Sequence, residues 1–200
     1  LDERFKNDVQ KNRNKVVAHT AFTDLLARDI TPIVELSFFK SWPHDSWAGK
    51  WEQWQRVYAL VYYMGGRYGV WRYQTCNEPD QKSNPVPLPE FLERFRVSSD
   101  AIRCAIEDVN RDFKKNLIPD ISAPVTINGA TKFDPWGKAT LETNRTDYMG
   151  NKTAYDLFNT FDVHRYGSSG AAFNKDMQTF KTEIPKYNPS GKMMPVTYTE

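Results

Sequence analysis

Apolar segments of strand length alternate with segments of helical period along this chain, and that alternation narrows its possible folds more than any other feature. Thr31 to Phe39 reads as a buried strand, because Ile33, Val34, Leu36 and Phe38 form a near-continuous apolar run with Pro32 at its start. Val70 to Asn77, Ala123 to Ala130, Phe161 to Tyr166 and Met194 to Glu200 read as four more strands. A weak helical pattern over Lys15 to Arg28 precedes them. Trp47, Trp51, Trp54, Tyr58 and Val61 then recur at helical spacing behind a cap at Asp45 or Ser46, and Gly65-Gly66 is expected to end that helix. The tryptophans of this stripe are expected in the core. Phe91, Phe95, Ile102, Ile106, Val109 and Phe113 carry the next amphipathic stretch, as one broken helix or two short ones. Phe173, Met177, Phe180 and Ile184 give another helix, closed by Pro185. The polar stretch from Lys132 to about Thr153 is too long for an idle connection.

Strict alternation implies parallel strands with helices packed on the sheet. Strand starts near 31, 70, 123, 161 and 194 suit a (β/α)8 TIM barrel. No Gly-rich phosphate turn follows any strand, which disfavours a doubly wound sheet. The fold class expected is therefore α/β, with residues 1–200 as part of one (β/α)8 domain. Five strands are fewer than eight, so the chain is expected to be a segment of a longer protein or an open barrel.

Composition limits the partners. The longest apolar run, Val57 to Met64, is far short of the roughly 18 residues a membrane helix needs. Lys+Arg 27 against Asp+Glu 25 leaves a net charge of +2 with no run of like charge, so neither nucleic acid nor a membrane surface is the expected partner. Cys76 and Cys104 cannot form a disulfide framework, and His19, His44 and His164 lie too far apart for a zinc motif. No metal and no organic cofactor is expected. The chain opens without a charged-then-apolar leader. Aromatic residues make up 14%, and a surplus of Trp and Tyr suits a cleft that stacks on flat ligand faces.

Reactive side chains in such barrels sit where strands end. Three strand ends stand out: Asn77-Glu78-Pro79, His164-Arg165-Tyr166 and Tyr198-Thr199-Glu200. Two carboxylates suit the cleavage of an acetal, which needs a proton on the leaving oxygen and a partner for the oxocarbenium-like carbon. One group cannot supply both at once. One of the two would have to be protonated while the other is ionised, which requires environments that split their protonation.

With these residues the sequence resembles the retaining glycoside hydrolases built on the (β/α)8 barrel, whose acid/base glutamate follows an Asn at the end of strand four and whose nucleophile ends strand seven. Counting back from that pattern numbers the visible strands three to seven. The resemblance covers essentially the whole chain: PIVELSFF, the Trp-rich helix and NEPD look most like the relatives that include xylosidase-like enzymes and the β-agarase and β-porphyranase family, and SDAIRCAIEDVNRDF followed by APVT looks closer to the β-agarase and β-porphyranase group. It implies Glu78 as acid/base and Glu200 as nucleophile. It also implies Asn77 on the sugar hydroxyl beside the anomeric carbon, Tyr166 or Tyr198 orienting Glu200, and His164 contacting hydroxyls or supporting Glu78. Trp42 and Trp136, on loops after strands, are candidates for stacking on sugar rings. The substrate implied is a β-linked polysaccharide, agarose or porphyran first, cleaved internally, and an extracellular or periplasmic setting goes with it. Strands one, two and eight are missing from the pattern, so the remaining barrel segments are expected from a longer chain.

Plainer roles stand beside each of these. Glu78 could cap the following helix, His164 could be a hydrogen-bonded core residue, and both tryptophans could simply pack. Glu35 is expected as a buried acid paired within the barrel, and Cys76 as a packed thiol below the site. Asn144-Arg145-Thr146 and Asn151-Lys152-Thr153 match the glycosylation pattern. The alternative functions are a non-catalytic glycan-binding barrel, a xylosidase-like enzyme of the same clan, and a barrel lyase or isomerase.

Overall fold

The computed structural model describes residues 13–36, 45–83, 85–127, 129–167 and 169–200. Residues 37–39 of the first expected strand, and Trp42, lie outside them. The elements run α1 (Arg13–Ala27), β1 (Ile33–Glu35), α2 (Trp47–Tyr68), β2 (Arg72–Gln74), α3 (Leu88–Phe113), β3 (Asp120–Thr126), a short 3-10 turn (Gly129–Lys132), a π turn (Phe133–Gly137), α4 (Lys138–Glu142), β4 (Thr160–Val163), α5 (Gly170–Tyr187) and β5 (Val196–Tyr198).

All five strands are parallel and pair in chain order, β1-β2-β3-β4-β5. This order has no reversal, so among the described residues the sheet has no topological switch point of the doubly wound kind. Among the described residues the sheet is not closed. It is nevertheless strongly curved. Flat, it would hold β2 and β5 about 14 Å apart across three inter-strand gaps, beyond the joint reach of a glutamine and a threonine. Yet Gln74 Nε2 lies 2.8 Å from Thr199 Oγ1.

The helices differ from the sequence reading in instructive ways. Ser46 caps α2 by accepting from the Gly49 amide, but the helix continues through Gly65 and Gly66 and ends at Gly69 in the left-handed region. The two inner glycines serve packing. A Cβ on Gly65 would stand 3.3 Å from Val109 Cγ2, and one on Gly66 would stand 2.7 Å from Phe113 Cε2, so their absence lets α2 and α3 approach closely. α3 is one continuous helix in which Ser98 and Ser99 are both buried, and Ser98 meets α2, with Gln53 Nε2 donating to Ser98 Oγ at 2.8 Å. α5 carries Pro185 inside its last turn instead of stopping before it.

Of the tryptophan stripe of α2, Trp54 packs half-buried against the core as expected, but Trp47 and Trp51 do not. Trp47 and Trp51 are 59% and 45% exposed, and the buried face is Gln53, Val57, Val61 and Met64. The rings instead overlap along the surface from Trp47 through Trp51, Trp54 and Tyr58 to Tyr62, with near-parallel planes. Their polar edges turn to α3: Trp54 Nε1 donates to Asp100, Tyr58 to Asp108 and Tyr62 to Asp112. Polar ring edges that must find partners thus face the neighbouring helix, and the plain aliphatic stripe takes the interior.

Tyr73, Ile121 and Phe161 from the sheet meet Phe91, Phe95 and Phe180 from the helices to form the core. The polar stretch after β3 contributes Phe133 to it, which explains its length. Asn144 is fully buried and accepts from the Phe158 amide through Oδ1, so the first glycosylation pattern cannot be an acceptor. No helix among the described residues is long and apolar enough to cross a membrane.

Candidate active site

β2 delivers Glu78 through a kinked end. Beyond Gln74 the chain keeps bonding to β3, and the Glu78 amide donates to Val125 O at 3.0 Å. That carbonyl is turned by a bulge in β3 between Pro124 and Thr126, where Val125 takes a φ of 57°, costly for a β-branched residue. Glu78 itself has a φ of 40°. Two side-chain-bearing residues in the left-handed region at one contact are strain of the kind that marks functional sites.

The Glu78 carboxylate is buried and fully engaged. Oε1 lies 2.9 Å from His164 Nδ1 and accepts from the Tyr166 hydroxyl at 2.9 Å, while Oε2 accepts from Gln81 Nε2 at 3.0 Å. His164 is only 1% exposed and is held by its amide, which donates to Thr126 O. The next residue, Arg165, donates its amide to Glu200 O at 2.8 Å, extending the β4–β5 ladder to the second glutamate. Tyr166 also donates to Glu200 Oε2, and His164 Nδ1 is 3.8 Å from that oxygen. The Tyr166 hydroxyl is raised well above the ordinary phenol range, first by its bond to Glu200, then by burial and by Glu78. It therefore remains a donor throughout the neutral range.

Glu78, His164, Tyr166 and Glu200 thus converge from β2, β4 and β5. One oxygen each of Glu78 and Glu200 and a ring nitrogen of His164 lie within 4.8 Å of one another. These three could also converge on a small divalent cation, and they form the one such group among the described residues. The cluster opens to solvent on one side, since the Glu200 side chain is 50% exposed and Tyr166 is 51% exposed. Asn77, beside Glu78, is exposed. Asp80, two residues on, is buried and accepts from the Ile127 amide, with Lys132 Nζ 3.7 Å away.

Other expected residues lie differently. Tyr198 sets its ring edge-on against Phe173 of α5 and so faces the helices, leaving Tyr166 as the phenol on Glu200. Trp136 packs against Phe91 at the margin of the core. Glu35, expected buried, is exposed at the end of β1, the first strand of the sheet among the described residues. Cys76 is buried, donates toward Pro124 O, and burial pushes its thiol well above the usual range.

Several polar residues beneath and beside the cluster were not singled out from the sequence. Gln81 is one. The others are Gln74, Asp162 and Thr199, which bond to one another on the inner face of the sheet. Period two offered a signal for two of them, because Gln74 shares a parity with Glu78, and Asp162 with His164.

No protein-family model matches the chain, and no curated protein matches it.

Proposed function

We propose that this protein is a retaining glycoside hydrolase, with Glu78 as acid/base and Glu200 as nucleophile, acting within β-linked polysaccharides of which agar-type galactans are the first candidates. One observation carries the reading: oxygens of the two glutamates lie within 4.8 Å of each other. Carboxyl groups with oxygens this close suit double displacement, in which the two groups stand about 5–5.5 Å apart. The sequential parallel order and strong curvature of the sheet support a (β/α)8 barrel as the complete architecture.

The hydrogen-bond count supports the division of labour. Tyr166 has one hydroxyl hydrogen and stands within bonding distance of both carboxyl groups. It can satisfy one carboxylate at a time, and His164 Nδ1, 2.9 Å from Glu78 Oε1, can serve Glu78 when Tyr166 serves Glu200. Glu200 then attacks the anomeric carbon as the bond to the leaving sugar breaks, and the leaving oxygen takes the proton from Glu78. In the second step Glu78 removes a proton from water, the water oxygen bonds the anomeric carbon, and Glu200 is released. Exposed Asn77 is placed to hydrogen-bond a hydroxyl of the sugar being cleaved, an interaction that strengthens as charge develops.

Reducing-end release from agarose, porphyran and xylan tests the proposal. Wild type is expected to cleave one of them, and Glu78→Gln and Glu200→Gln each to lose about a hundredfold to ten-thousandfold in rate. An aryl glycoside of the matching oligosaccharide separates the roles, because a good leaving group needs no proton. Glu78→Gln should keep a fast first step on it, and Glu200→Gln should not. Equal product release by wild type and Glu78→Gln would remove the enzyme reading, and retained glycan binding without any turnover would favour a binding barrel.

A further inference from the structure

We propose that Asp162 is a positioning residue for the two-glutamate site, acting with Gln74 and Thr199 as a buried tie that sets the distance between the chain segments carrying Glu78 and Glu200. This deepens the hydrolase reading and rests on it for its kinetic consequences only.

The two segments are not neighbours. β3 and β4 stand between β2 and β5, so no backbone hydrogen bond fixes their separation directly. Side chains do. Asp162, in β4 and fully buried, accepts from Gln74 Nε2 through Oδ2 at 2.9 Å and from Thr199 Oγ1 through Oδ1 at 3.0 Å. Gln74 Nε2 also donates to Thr199 Oγ1 at 2.8 Å, closing a ring of three side chains. Gln74 ends β2, four residues before Glu78, and Thr199 immediately precedes Glu200. Asp162 is itself two residues before His164, the third member of the cluster above. Each member of the ring therefore lies within four residues of a group of the site.

A buried carboxylate is costly to desolvate, and hydrophobic residues could have filled this space at less cost. What the charge supplies is direction: both of its oxygens require donors, and those donors come from the two strands whose ends must meet. Burial raises the Asp162 carboxyl above the ordinary range, while the bonds from Gln74 and Thr199 oppose that rise.

A reciprocal exchange tests the tie. Gln74→Glu sets a carboxylate against Asp162 and should force the strands apart, whereas Gln74→Glu with Asp162→Asn restores one carboxylate and one amide in reversed order. On the polysaccharide that wild type cleaves, the single variant should lose about a hundredfold in kcat, with KM changed less than about threefold, since a displacement near 1 Å costs that much. The double variant should recover to within about tenfold of wild type. Unchanged kcat in Gln74→Glu, or no recovery in a folded double variant, overturns the proposal. Crystal structures of the three proteins read the claim without activity: the Glu78–Glu200 oxygens should separate in Gln74→Glu and return in the double variant. An unaltered separation overturns the tie even if the hydrolase reading holds. A wild type that hydrolyses nothing, with the separation still following the exchange, removes the hydrolase reading and leaves the tie. If Gln74→Glu does not fold, Gln74→Leu, which removes the donor without adding charge, takes its place with the same expected separation.

Discussion

Tyr166 joins the two glutamates through a single oxygen, and its value to the site is testable by removing that oxygen alone. Tyr166→Phe keeps the ring and loses the donor to Glu200 and Glu78. Removing one preorganised donor from a site where charge moves costs about a hundredfold to a thousandfold in rate. Half-exposed Tyr166 belongs at the lower end, so kcat should fall about a hundredfold while folding, read by thermal melting, is nearly unchanged. At this scale the sequence was informative where chemistry-bearing residues stood at strand ends, and Glu78, His164, Tyr166 and Glu200 are all such residues. It could not say which of Tyr166 and Tyr198 faces Glu200, because strict alternation fails where strands end and the chain twists. Gln81 was illegible because its role comes from a turn, in which its amide bonds Glu78 O and its side chain bonds Glu78 Oε2.

Among the elements, α2 shows most clearly what periodicity can and cannot decide. The helix carries two stripes, one aromatic and one aliphatic, and spacing alone marks both as candidate interior faces. Partner chemistry settles the choice: acids along α3 receive the indole and phenol edges, so the aromatic stripe lies over the junction between the two helices. Tyr58 reports this packing. Burial first, and then its bond to Asp108, push the phenol up to about 12 from its ordinary 10.0. The folded chain therefore keeps this proton in a range where the unfolded chain has lost it. The resulting stability is whole below about pH 10 and is lost as pH rises through about 12. Tyr58→Phe should lower Tm at neutral pH and flatten the fall of Tm between pH 10 and 12 relative to wild type. Parallel Tm curves for the two proteins across that range would contradict the assignment. The strands, by contrast, are shorter than expected at β2, β4 and β5, and β3 begins three residues earlier than expected, because apolar character alone does not mark where pairing starts and stops.

For the molecule as a whole, strand order and curvature matter more than strand length. The alternation of segments was enough to expect a parallel α/β sheet, and the described strands form one in chain order. How strongly the sheet curves was not legible, because it depends on side chains reaching between strands that are distant in sequence, such as Gln74 and Thr199. That curvature brings a glutamate from β2 to one from β5 across two intervening strands, and the proposed chemistry depends on the meeting. Proton NMR of the first product formed, recorded before anomeric exchange, tests it most directly. Double displacement by Glu78 and Glu200 predicts a reducing end that keeps the β configuration of the bond that was cut. A first product of α configuration, or an unsaturated sugar, would contradict it.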